Sequence, residues 1–135
     1  MQRIVYISTT RNILTSTELD EILVKSRRNN RAVGVTGLLI SGGRRFLQTL
    51  EGPDHAVEAV FRRIEQDPRH FAVVMLSRAP IAERSFGDWA MGHCGGGNTG
   101  SSAELADTLA QLLAPIADAN TRAYFEGFAQ LHAAA

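Results

Sequence analysis

The chain has 135 residues, enough for one domain with a sizeable core, and its 14 basic and 14 acidic side chains cancel. No net field therefore draws it to nucleic acid or to an anionic membrane. Its single cysteine, Cys94, excludes an internal disulfide and a multi-cysteine metal site and fits a reducing cytoplasm, the expected location.

Met1 leads into a strand pattern rather than a signal-peptide core. Residues 3–9 (RIVYIST), rich in β-branched and aromatic side chains, read as a first strand. Thr15 and Glu18 have capping-box spacing, and Leu19, Ile22, Leu23 and Ser26 follow at helical intervals, so a helix is expected over residues 16–29. Residues 34–40 and 45–51 read as two strands joined through the glycines of residues 41–44 into a hairpin. Gly52 and Pro53 end it and start a second helix, with Val57, Val60, Phe61 and Ile64 on its apolar face, closing near Asp67 and Pro68.

Residues 71–76 make a fourth strand, closed by Pro80, and residues 89–91 are expected in a short fifth strand. The order βαββαβ predicts an α+β, ferredoxin-like sheet with both helices on one face and the first and third strands adjacent. Residues 95–102 (GGGNTGSS) read as a glycine-rich linker. Two alanine-rich amphipathic helices are expected beyond it, over 103–113 and 115–131. The division is thus a folded domain over 1–94, a linker over 95–102 and a helical extension over 103–135.

Within this frame the polar side chains are the informative ones. Ile4, Tyr6 and Ser8 share one face of the first strand, and Phe46, Gln48 and Leu50 share one face of the third. If both faces look toward the helices, Tyr6 and Gln48 come within hydrogen-bond reach. Asn29 and Asn30, at the expected end of the first helix, overhang the same face. A pocket with apolar walls from Ile22, Phe46 and Ile64 and amides with a phenol on its rim suits a flat heteroaromatic ligand with carbonyl and imide edges. Each residue also has an ordinary reading: a tyrosine in a strand is most often packing, and paired asparagines commonly cap a helix.

The ordered set formed by the Tyr6 strand, RRNNRAVGVTGLL, FLQTLEG, RRIEQDPRH and PIAERSFGDWAMG resembles the BLUF family, blue-light sensors using flavin, over roughly residues 2–93. The resemblance implies a non-covalently bound flavin (FAD first, with FMN or riboflavin as alternatives). It also implies a switch in which Tyr6 donates an electron and a proton while Gln48 bridges it to the flavin edge. By the same resemblance Asn30, Asn29 and Ser26 line the ring site, and Ile22 and Ile64 sandwich the ring. Arg63, Asp67, Arg69 and His70 match positions near the ribityl chain and the outer edge, and Trp89 and Met91 the pair on the last strand that passes the signal on.

Two further functions compete: a flavin redox enzyme using the same pocket, and a light-insensitive binding module on the same scaffold. No dinucleotide fingerprint supports the enzyme. Expected partners are a second copy of the chain, as a dimer or larger assembly, and a downstream protein, with no nucleic acid, membrane or metal. The basic groups Arg27, Arg28, Arg44 and Arg45 and the possible metal cluster of Asp54, His55 and Glu58 read as solvated surface.

Overall fold

Strand and helix boundaries follow the local chemistry closely. In this computed structural model, residues 1–11, 15–42, 44–68, 70–86, 92–95 and 119–133 are described. The elements are β1 (Gln2–Thr10), α1 (Ser16–Val33), β2 (Thr36–Gly42), β3 (Arg45–Gly52), α2 (Asp54–Gln66), β4 (His70–Pro80), β5 (Gly92–Gly95) and α3 (Ala119–Ala133).

The capping box forms. Thr15 Oγ1 accepts from the Glu18 amide and Glu18 Oε1 from the Thr15 amide, each at 3.1 Å, answering two otherwise orphaned donors. The expected end of α1 at residue 29 is corrected: the helix continues through Arg31, Ala32 and Val33. What stops it is Gly34, whose φ of 73° is the left-handed turn that a side chain resists and whose amide donates to the Asn30 carbonyl. Asn29 and Asn30 therefore lie inside the last turns of α1 rather than beyond them.

The sheet order is β4-β1-β3-β2-β5. β1 pairs antiparallel with β3 and with β4, β2 pairs antiparallel with β3, and β5 runs parallel to β2. This is the ferredoxin-like arrangement with an added edge strand. Among the described residues the fifth strand covers Gly92–Gly95, so Gly95 belongs to the sheet rather than to the linker. A backbone ladder needs no particular side chains, and GHCG carries none of the usual strand signals. Residues 89–91, 96–102 and 103–113, on which the expected strand, linker and first terminal helix fell, are outside the described residues.

Two cores sit on opposite faces of the sheet. On the inner face, Ile4, Tyr6, Leu39, Phe46 and Leu50 pack with Leu23 of α1 and with Val57, Val60 and Phe61 of α2. On the outer face, Val5, Leu38, Ile40 and Leu47 pack with Phe86 and with Phe125 and Phe128 of α3. Strand alternation alone sorts these residues. The Tyr124 hydroxyl donates to the Leu76 carbonyl of β4 at 3.3 Å, tying α3 to the far edge of the sheet. No described helix is long and apolar enough to cross a membrane.

Candidate functional site

Tyr6 and Gln48 stand directly opposite one another in the β1–β3 register. Cross-strand partners on one face lie about 5 Å apart at Cβ, close enough for a long side chain to reach its neighbour. The Tyr6 hydroxyl donates to Gln48 Oε1 at 2.5 Å. The tyrosine has no exposed surface, and its ring meets that of Phe61 edge-on, with centroids 5.2 Å apart. Burial pushes the phenol well above its ordinary 10.0, an effect that the Gln48 hydrogen bond only partly opposes. Tyr6 is thus a neutral hydroxyl, packed against Phe61 and bonded to Gln48.

Above this pair opens a cavity of about 480 Å³ between α1 and α2, within the usual range for a small-molecule site. Helical periodicity brings Ile22, Ser26, Asn29 and Asn30 of α1 to one wall. Val60, Arg63 and Ile64 of α2 form the other wall, Gln48 and Leu50 of β3 contribute from the sheet, and Asp67 and Pro68 lie where α2 ends. Asn30 is 2% exposed and Gln48 8%, so the amides that converge on this cavity are held by the fold rather than by solvent.

The donor set fits a flavin. Ile22 and Ile64 face the cavity from opposite helices, as a flat ring requires, and three amides supply both donors and acceptors for an edge of alternating carbonyl and N–H groups.

Of the residues expected from sequence, Ile22, Ser26, Asn29, Asn30, Gln48, Arg63, Ile64 and Asp67 line this cavity together. Tyr6 lies in the core and meets the site through Gln48. Phe46, expected at the wall, is packed in the inner core at 3% exposure and is not among the described lining residues. It lies two residues from Gln48 toward the hairpin, paired with Ser8, whereas the cavity extends from Gln48 the other way, to Leu50. The His70 side chain, Arg69, Trp89 and Met91 are outside the described residues. Lys25, Leu50, Val60, Gln66 and Pro68 also line the cavity and were not anticipated. Leu50 and Val60 were legible in principle, each lying on the same face of its element as a residue already assigned. Among the described residues Asp54, His55 and Glu58 form no metal-binding group; Asp54 meets the Met1 amino group at 3.5 Å and Glu58 meets Arg78 at 3.8 Å.

A ferredoxin-like sheet, a cavity lined by two helices, and a phenol–amide pair beneath it define a small ligand-binding domain of the flavin-sensor type. The chain belongs to the BLUF family, described as sensors of blue-light using FAD, whose family model matches residues 1–92. The family is one of flavin-binding blue-light photosensors. Among its relatives, the β subunit of photoactivated adenylate cyclase from Euglena longa is 34% identical over 108 residues, 79% of this chain and 13% of that protein. The blue light- and temperature-regulated antirepressor BluF of Escherichia coli K12 is 39% identical over 70 residues, 52% of this chain and 17% of that protein. The present chain therefore spans only a small part of these curated relatives.

Among solved structures, the dark state of the BLUF protein BlrB matches with a TM-score of 0.72 and 28% identity, covering 99% of this chain and 96% of that one. Klebsiella pneumoniae BlrP1 with FMN and cyclic diGMP matches with a TM-score of 0.77 and 27% identity, covering 96% of this chain and 34% of that one.

Proposed function

We propose that this chain is a blue-light photoreceptor in which flavin lies in the slot between α1 and α2 and the Tyr6–Gln48 pair is the switch. The observation that carries the reading is the 2.5 Å bond from the buried Tyr6 hydroxyl to the amide facing the slot. Ile22 and Ile64 sandwich the ring, and Asn30, with Asn29 and Ser26 beside it, binds the carbonyl and imide edge. Arg63, Asp67, Arg69 and His70 serve the ribityl chain and the outer edge, and Phe46 supports Tyr6 from the core.

Bound flavin supplies blue absorption and, once excited, an acceptor for one electron. Tyr6 is placed to give that electron, and its proton already points at Gln48 Oε1. Loss of the proton toward Gln48 forces the amide to re-form its hydrogen bonds. On return of the electron and proton, the Gln48 amide would be left in a second arrangement, able to donate into the slot. No covalent bond forms, so the dark state returns thermally. One rearranged amide bond is worth about 1 kcal/mol, which shifts a balanced equilibrium about fivefold. The output is therefore a change in contact with another protein, passed through Trp89 and Met91 toward the C-terminal helices, not catalysis within this chain. The proposed division, expected at 1–94, 95–102 and 103–135, shifts by one residue to a sensor domain ending with β5 at Gly95, a linker over 96–102 and a helical extension over 103–135, with a dimer as the proposed assembly.

Purified protein is expected to be yellow and to shift its absorption slightly to the red under blue light, recovering in the dark. Tyr6→Phe should abolish the shift while leaving flavin bound. A Tyr6→Phe protein with the normal red-shifted state would refute the assigned switch, and bleaching by NAD(P)H would favour the redox enzyme.

A further inference from the structure

Glu51 has no exposed surface and lies three residues along β3 from Gln48, about 10 Å of strand. By alternation it is on the opposite sheet face, away from the slot. A buried carboxylate persists only where its lone pairs are answered. Arg3, its cross-strand partner in β1, donates to Oε2 from Nε at 2.9 Å and from Nη2 at 2.8 Å. The remaining donors are backbone. The Ser85 amide reaches Oε1 at 2.9 Å and Oε2 at 3.1 Å, and the Phe86 amide reaches Oε1 at 2.8 Å.

Neighbouring contacts strengthen the same junction. Arg3 Nη2 donates to Ser85 Oγ at 2.7 Å. Arg84 Nη1 donates to Thr36 Oγ1 at 3.1 Å and to the Glu51 carbonyl at 3.4 Å. Three consecutive residues, 84–86, are thus fastened to one residue of β3. The last of them, Phe86, is 1% exposed and shares the outer core with Phe125 and Phe128 of α3.

We propose that Glu51 is a positioning residue of the light response, transmitting a change in β3 at Gln48 to α3 through the backbone of Ser85–Phe86 and the Phe86 ring. The inference rests on the photosensor reading above. Two acceptor oxygens on consecutive amides make the junction move as a unit. A close-packed aromatic cluster passes a displacement on rather than absorbing it. The route is separate from the one through residues 89–91, because it leaves the chain at Phe86 and crosses the outer core directly.

Hydrogen exchange of the full-length flavoprotein, in light and in darkness, tests the route for wild type, Glu51→Gln and Phe86→Leu. Neither residue lines the slot, so both variants should keep the dark spectrum and the red shift. Wild type should show a light-minus-dark difference over residues 119–133, and both variants should lose it while keeping wild-type exchange in the dark. Glu51→Gln keeps the size of the side chain but replaces an acceptor with a donor facing the amides. If it does not fold, Phe86→Leu, which remains apolar, decides alone. A variant that shifts red and keeps the α3 difference overturns the proposal. So does altered dark exchange in α3 for both variants, the mark of a merely structural role, or a wild type that shifts red with α3 unchanged. A wild type that shows no red shift fails the photosensor reading itself and the proposal with it.

Discussion

At the scale of single residues, Tyr6 carries two loads that a pH experiment separates. In the proposed switch its hydroxyl is the donor, and its burial makes it a titratable group whose folded state resists ionisation. Burial raises the phenol well above 10.0, with the Gln48 bond opposing. For a group with a raised folded value, the stability held by the proton is complete below the unfolded value. It declines as pH rises from there toward the folded value. Wild type should therefore lose stability above about pH 10 from this residue, at up to about 1.4 kcal/mol per pH unit. Tyr6→Phe should not show that component. Urea unfolding of both proteins from pH 8 to 11.5 should give a constant difference up to pH 10 that changes beyond it. A difference that stays constant throughout would mean the phenol ionises as readily folded as unfolded.

At the scale of elements, the spacing of the hairpin depends on Gly37. A Cβ there would lie 2.0 Å from the Thr49 carbonyl oxygen, a backbone atom of the paired strand that has no rotamer by which to withdraw. Gly37→Ala must force β2 from β3 beside the Leu39–Gln48 register pair. The expected cost is about 3 kcal/mol, at the upper end for overpacking, read as a lowered urea midpoint. A displaced Gln48 should alter the flavin spectrum as well. Elements of this kind also mark what was legible beforehand. The capping box, β1, β3 and the Tyr6–Gln48 pairing follow from local chemistry and strand alternation, which act over a few residues. The last turn of α1 was missed because Asn29 and Asn30 look like a cap, whereas the stop is set by the left-handed Gly34. A short fifth strand near residue 90 was legible, but its run through Gly95 was not, because its ladder to β2 is backbone chemistry that GHCG does not advertise. Lys25 and Gln66 at the cavity were missed because exposed helix positions gain a role only from the second helix standing opposite.

At the scale of the whole molecule, the sheet separates two packed faces that share the same strands. The inner face holds the slot, and the outer face holds α3 through Phe125, which has no exposed surface, and Phe128. Damage to one face should leave the other standing where the sheet itself survives. Phe125→Asp puts a charge with no counter-ion into the outer core, where an unpaired ion is far costlier than the lost contacts. The helix should leave the sheet and uncover Val5, Leu38, Ile40 and Leu47, a contiguous apolar patch of the kind that recruits other surfaces. The protein should then bind a hydrophobic dye and self-associate on size exclusion. It should keep its dark flavin spectrum and its red shift, since no residue of the cavity lies on that face. Loss of flavin together with α3 would mean that the two faces stabilise each other cooperatively. Retention of flavin with a normal photocycle would show that the slot needs only the inner face, which leaves α3, seated on the outer face through Phe125 and Phe128, free to serve output.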